Sequence, residues 1–279
     1  MHTTINNLSL AYTDAGSGPA VMLIHGFPLG RAMWEPQVEA LTAAGFRVIA
    51  PDLRGFGDSE GPAEGYSMDR FADDVAELMT KLGIGRAVVG GMSMGGYVLF
   101  NLLARYPQKI AGAAFLLTRC NADDAAGKAR RKALAEEVRQ GRRRVVEESF
   151  ADILFAPGTL KTRPELVERV KGWMSATSDA GLAGALLAMG ERPDYCGRLG
   201  EFLTPALVMG ADEDRIVPPE TIGPFAAALP LSSSCIIPGA GHMANLEAPQ
   251  AFNACLLKFV RLCSQTLDVR GNGNRVLEF

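Results

Sequence analysis

The sequence predicts an α/β protein: a mostly parallel central sheet with helices on both faces and an inserted helical segment. Three observations predict it. Short continuous apolar runs, such as Ala20–Ile24, Ala111–Thr118 and Ala206–Met209, have the pattern of strands buried on both faces, as in parallel sheets. Segments with a helical apolar period lie between them. The alternation stops at Arg119 and resumes near residue 205, so residues 119–204 are expected to form a helical cap inserted into a core made of residues 1–118 and 205–279.

Taken in order, Ile5, Leu8, Leu10 and Tyr12 surround Asn6-Asn7 and precede the turn Gly16-Ser17-Gly18-Pro19, which suggests an opening hairpin. Ala20–Ile24 follows as a buried strand. Trp34, Val38 and Leu41 share one face of a helix that Gly45 stops, and Phe46–Ala50 returns to strand. Ser67 is placed to cap a helix with Phe71, Val75, Leu78, Met79 and Leu82 on one face, and Gly83 ends it. Arg86–Gly90 reads as a short buried strand, Met94–Tyr106 as an apolar helix closed by Pro107, and Ala111–Thr118 as the next strand. In the insertion, Lys128–Glu148 and Arg163–Met174 are charge-rich and helix-like. Cys235–Ile237 gives a last strand, Ala251–Leu262 a closing helix and Ser264–Phe279 a loosely held tail.

Composition narrows the function. The chain has 279 residues, 48% hydrophobic and 21% charged, with a net charge of -3, as an ordinary globular protein does. Its 28 Lys and Arg against 31 Asp and Glu supply no surplus for neutralising phosphates, so a nucleic-acid partner is disfavoured. No apolar run approaches the roughly 20 residues of a spanning helix, so no membrane partner is expected. The first residues have neither a basic start nor an apolar stretch, which points to a cytoplasmic address. Five cysteines, an odd number without a C-x-x-C pair, argue against a disulfide framework and a thiolate zinc site, so free thiols are expected.

The sharpest chemical signal is Gly91-Met92-Ser93-Met94-Gly95, between a buried strand and a helix. A sharp strand-to-helix turn strains the backbone at the serine, and the flanking glycines leave room for that crowding. The hydroxyl would then be exposed at a helix N-terminus, with the Met94 amide aimed at a developing oxyanion. A serine hydroxyl needs a base, and the chain has three histidines. His2 is terminal, and His25, directly after a strand, reads as a buried residue that shapes its loop. His242, in Gly239-Ala240-Gly241-His242-Met243, is placed to project over the sheet edge. Between serine and histidine, after the strand Ala206–Met209, come three competing acids, Asp212, Glu213 and Asp214, giving the chain order Ser, Asp, His.

With these residues in place, the chain resembles the α/β-hydrolases, in the branch of small bacterial esterases, enol-lactonases and cofactor-free haloperoxidase-like perhydrolases. The likeness rests on Leu23-Ile24-His25-Gly26-Phe27-Pro28-Leu29, on Pro51-Asp52-Leu53-Arg54-Gly55-Phe56-Gly57-Asp58-Ser59, on the serine elbow, on Asp214 to Pro218, and on Gly241-His242 with Glu247 and Pro249 after it. The resemblance implies an α/β-hydrolase fold with a cap, Ser93 as nucleophile, His242 as base and the backbone amides of Phe27 and Met94 as the oxyanion hole. It favours Asp214 as the acid, because Asp214 to Pro218 fits the family as a unit, with Asp212 the second candidate. Related dehalogenases and epoxide hydrolases carry Asp in the elbow, so Ser93 disfavours both. What the resemblance implies is acyl transfer on a small ester or lactone without metal or organic cofactor. Alternatives are perhydrolase or 3-oxoadipate enol-lactonase-like activity, or a ligand-sensing protein with a slow triad.

The insertion would set the substrate. From Arg119 to Gly200 it has 15 Lys and Arg against 12 Asp and Glu, a net +3, while the remainder carries -6. Arg130-Arg131-Lys132 and Arg142-Arg143-Arg144 read as solvated helix faces. Arg119 is the residue placed to touch an anionic substrate. Met92, Met94, Met174, Leu186, Leu187 and Met189 are candidates for an apolar acyl pocket, although core packing is the commoner fate of such side chains.

Overall fold

The computed structural model describes residues 1–269. Eight strands form one sheet: β1 (His2–Ile5), β2 (Leu8–Ala15), β3 (Ala20–Ile24), β4 (Arg47–Pro51), β5 (Ala87–Met92), β6 (Ile110–Leu116), β7 (Ala206–Ala211) and β8 (Ser232–Ile237), in the order β1-β2-β4-β3-β5-β6-β7-β8. β1 and β2 pair antiparallel, as do β2 and β4, and every other pair is parallel. The opening hairpin turns on Asn6 and Asn7, at φ 46° and 65°. Asparagine tolerates that region, and a two-residue turn with both φ positive matches the twist of a hairpin.

The strands alternate their side chains between two cores. Met22, Ile24, Ile49 and Val89 face one side, where α2 (Met68–Lys81) and α3 (Met94–Arg105) cover them with Phe71, Val75 and Val98. Val21, Leu23, Val48 and Val88 face the other, under α1 (Glu35–Ala43) and α11 (Pro249–Val269) with Leu41, Phe252 and Leu256. Burial on both faces is why these strands read as unbroken apolar runs. The Ser67 hydroxyl accepts the Arg70 amide at 3.0 Å and caps α2, while Gly83 and Gly45 follow α2 and α1 at φ 68° and 87°.

Between β6 and β7 the described chain forms five helices and no strand: α4 (Ala125–Arg139), α5 (Arg144–Ala151), α6 (Pro157–Thr162), α7 (Pro164–Ser175) and α8 (Asp179–Gly190). This block sits on the loops that leave the C-terminal ends of the parallel strands. The Thr177 hydroxyl donates to the Pro28 carbonyl at 3.0 Å, the Ser178 hydroxyl to that of Gly55 at 2.9 Å, and the Met243 amide to that of Leu154 at 2.9 Å. After β7 come α9 (Ile222–Ala227) and, beyond β8, α10 (Ala244–Glu247).

Four expectations change. Lys128–Glu148 is not one helix, because Gly141 takes φ 79° and splits it into α4 and α5. The expected tail begins later, since α11 runs to Val269, and residues 270–279 lie outside the described residues. The cysteines are not all free: Cys120 pairs with Cys196 and Cys235 with Cys255, leaving buried Cys263 as the free thiol among the described residues, pushed up to about 12 by burial. Pairing depends on position and not on parity, and the block's two legs bring the Cα atoms of Cys120 and Cys196 to 4.9 Å. In the arginine clusters Arg130, Lys132, Arg142 and Arg144 are exposed as expected, but Arg131 binds Asp123 and Arg143 caps α7 through the Met174 and Ser175 carbonyls. No described helix is long and apolar enough to cross a membrane.

Candidate active site

β5 ends at Met92 and α3 begins at Met94, which leaves Ser93 alone at the corner with φ 52° and ψ -113°. A non-glycine residue there costs about 1 to 3 kcal/mol and persists only where its surroundings enforce it. Here they do. The Ser93 amide donates to the Leu116 carbonyl at 3.0 Å, and the Ser93 carbonyl accepts the Gly96 amide at 2.9 Å and the Thr118 hydroxyl at 2.8 Å. A Cβ on Gly91 would overlap the Gly95 carbonyl, and one on Gly95 would overlap the Ile24 carbonyl and stand 2.8 Å from that of His25. Backbone contact therefore closes the turn, and Ser93 is partly exposed while both its neighbours are buried.

The loops after β7 and β8 bring Asp214 and His242 together. His242 Nδ1 lies 2.8 Å from Asp214 Oδ2, and both side chains are almost fully buried, at 2% and 0% exposure. Asp214 Oδ1 is occupied by the amides of Ile216 at 2.8 Å and Val217 at 3.0 Å, so Oδ2 is left for the ring. Facing a carboxylate, Nδ1 carries the proton and donates it, which leaves a lone pair on Nε2. Nε2 is buried without a hydrogen-bond partner among the described residues, including Ser93. Asp212 has a different part: it is exposed, and its Oδ1 accepts the amides of Gly239 at 2.7 Å and Ala240 at 3.4 Å, which shapes the loop leading to His242.

The loop after β3 lies against the serine, since a Cβ on Gly26 would stand 3.3 Å from Ser93 Cβ. No hydrogen bond among the described residues engages the amide of Phe27 or of Met94. The Phe27 ring meets Phe56 and, from α5, Phe150 edge to face at 5.4 Å, so the helical block reaches this corner with an apolar side chain. His25 is fully buried: its Nε2 accepts the Leu53 amide at 3.0 Å, so Nδ1 holds the proton and donates to the Gly26 carbonyl at 2.9 Å. Burial lowers its pKa, against the pull of Asp52. Asp52 in turn accepts Arg31 and the Asp58 amide and fixes the 52–59 turn.

Comparison with known proteins fits this arrangement. The model of the alpha/beta hydrolase fold family matches residues 19–249. The chain belongs to the α/β-hydrolase family. Among its relatives, a protein named putative non-heme chloroperoxidase from Synechocystis is 32% identical over 271 residues, covering 91% of this chain and 95% of that one. A thermophilic esterase from Thermogutta terrifontis superposes with a TM-score of 0.91 at 36% identity, covering 95% of this chain and 98% of that chain. The enol-lactonase of Burkholderia xenovorans superposes with a TM-score of 0.87 at 26% identity, covering 94% and 100%.

Two residues that pack around these segments carry no signal in the sequence. Thr118 and Phe150 act through backbone or ring contacts between segments far apart in sequence, and Asp212, the second candidate for the acid, shapes the loop before His242 instead. Glu247, noted only as part of a motif, accepts the Gly241 amide beside His242. Arg119 reaches Asp123 at 3.4 Å. Burial alone would raise the Asp123 carboxyl, but Arg192 and Arg131 outweigh it and hold it at about 2. Met92, Met94, Met174, Leu186 and Met189 are buried and Leu187 partly so. Among the described residues no group of three or more His, Cys, Asp or Glu is arranged to hold a metal ion.

Proposed function

We propose that the protein cleaves a small carboxylic ester or lactone through an acyl-enzyme on Ser93. The observation that carries this reading is the buried His242–Asp214 pair at 2.8 Å, whose outer nitrogen has no partner of its own, in a chain that holds a serine on a strained elbow. His242 Nε2 takes the Ser93 proton as Oγ attacks the carbonyl carbon, and Asp214 stabilises the imidazolium. The amides of Phe27 and Met94 receive the oxyanion of the tetrahedral intermediate. Collapse expels the alcohol, which His242 protonates; water activated by the same nitrogen then attacks the acyl-enzyme and returns the proton to Ser93. The helical block acts as the cap over this site, with Phe150 at its inner surface.

The esterase and enol-lactonase among the similar structures support this substrate class. The chloroperoxidase relative makes peracid formation the second reaction to assay, with hydrogen peroxide replacing water at the acyl-enzyme. Hydrolysis of p-nitrophenyl esters from acetate to decanoate, with Ser93→Ala in parallel, tests the proposal. Turnover and phosphonate labelling are expected to vanish together in Ser93→Ala while the circular-dichroism spectrum stays unchanged; a labelled mutant would place the nucleophile elsewhere.

A further inference from the structure

Glu247 ends α10, five residues after His242. One carboxylate oxygen, Oε1, accepts the amide of Gly241, the residue before His242, at 2.9 Å. The other, Oε2, accepts the amide of Ala156 in the helical block, also at 2.9 Å. The two segments are stitched around this bridge. The Met243 amide donates to the Leu154 carbonyl at 2.9 Å, and Arg163 donates to the carbonyls of Leu246 at 3.3 Å and Glu247 at 3.0 Å. They run so close that a Cβ on Gly241 would overlap the Ala156 nitrogen and stand 2.6 Å from the Phe155 carbonyl carbon. Two N–H groups thus converge on one side chain from two elements, and a carboxylate offers an acceptor oxygen to each. The acid is kept here although burial pushes its pKa up.

Resting on the reading of His242 as the base, we propose that Glu247 is its positioning residue, and that its carboxylate makes the seating of the helical block and the placement of the imidazole a single event. With the block seated, the amides on either side of His242 are tied down, one by Glu247 and one by Leu154. If the block lifts at residues 154–156, Leu154 leaves the Met243 amide, Oε2 loses its donor and the carboxylate is free to turn away from Gly241. The backbone on both sides of His242 is then released. The base is therefore in place only while the roof is closed, when bulk water is kept from the acyl transfer.

Two substitutions cut the bridge from opposite ends. Glu247→Gln keeps the volume and one acceptor, but its NH2 group must face one of the two amides, so one link is lost. Ala156→Pro removes the backbone donor on the block side, where the Thr159 hydroxyl remains as a second partner of the carboxylate, and its Cδ takes the place of the N–H and pushes Oε2 off that end; Ala156 already has φ -60° and ψ 146°, which proline adopts. In each full-length variant kcat for p-nitrophenyl acetate is expected to fall about 10- to 100-fold with KM nearly unchanged. Phosphonate labelling of Ser93 should slow, and amide exchange should speed up in residues 154–157 and 239–243 together. In the wild type the two segments should open with equal protection.

Faster exchange confined to 154–157 with kcat intact overturns the proposal, and so does a loss confined to KM or to thermal stability. If one variant fails to fold, the other carries the kinetics, and unequal wild-type protection of the two segments is enough to refute the coupling. Wild-type turnover that survives Ser93→Ala would instead overturn the reading of the triad, and the exchange experiment would still decide whether the two segments open as one.

Discussion

The turn that carries Ser93 and the loop that carries His242 are held in opposite ways. Ser93 is wedged by backbone: Gly91, Gly95 and Gly96 leave no room for a side chain, and its main-chain partners, Leu116 in β6, Gly96 in α3 and Thr118 just after β6, all lie outside the helical block. The His242 loop is held by acceptors from three sources, Asp212 after β7, Glu247 at the end of α10 and Leu154 in the helical block. A steric wedge sets one position with little compliance, whereas a loop suspended on hydrogen bonds answers to each of the elements that supply them. Ser93 is thereby fixed once by folding, and His242 is open to influence from the helical block.

The largest effect should separate the two carboxylates of the second loop. Asp214→Asn is expected to lower kcat/KM by about 10⁴, because the amide can no longer hold the imidazole in its tautomer and stabilise its charge. Asp212→Asn, which touches only amides, should cost about tenfold. Steady-state kinetics on one ester decides it, and the reverse ranking would reassign the acid.

Stability should separate the two turns themselves. Gly95→Ala drives a Cβ into the Ile24 carbonyl and should destabilise by about 3 kcal/mol. Gly239→Ala has open space around it and meets only the strain of φ 64°, about 1 kcal/mol. Urea unfolding of both variants measures the pair, and equal losses would mean that backbone contact is not what holds the elbow.

The smallest effect is a pH slope from beneath the elbow. His25 is neutral in the fold with its pKa lowered by burial, while in the unfolded chain it titrates near the ordinary histidine value of 6.5. As pH falls below that value the unfolded state takes up the proton first, so stability is lost towards acid by up to about 1.4 kcal/mol per pH unit. Unfolding midpoints between pH 7.5 and 5.5 should show the decline, and His25→Gln should flatten it.

These two turns also mark what a sequence discloses. The Ser93 elbow was legible because its causes are local: an apolar strand, glycines two residues either side and a helix start within ten residues. The His25 contacts follow from one residue placed after a buried strand. The loop around His242 was legible only in part. Nothing near Glu247 announces that its second oxygen meets Ala156, 91 residues earlier, and Cys120 with Cys196 stands 76 apart. Arg131 of α4 and Arg143 just before α5 escaped for the same reason, since the charge pattern of a helix does not tell which guanidinium turns inward onto Asp123 or onto the end of α7.

The neck of the helical block has a consequence for how such a molecule diversifies. Cys120 and Cys196 stand with their Cα atoms 4.9 Å apart, and the Tyr195 amide donates to the Cys120 carbonyl, so the chain departs and comes back through one doorway. Everything between the two cysteines is a cassette. It can be lengthened, shortened or exchanged without rethreading a strand, and on the proposal made for Glu247 the newcomer would have to present a donor to that carboxylate. The helical block and the sheet that carries Ser93, Asp214 and His242 are thus written in separable stretches of one gene.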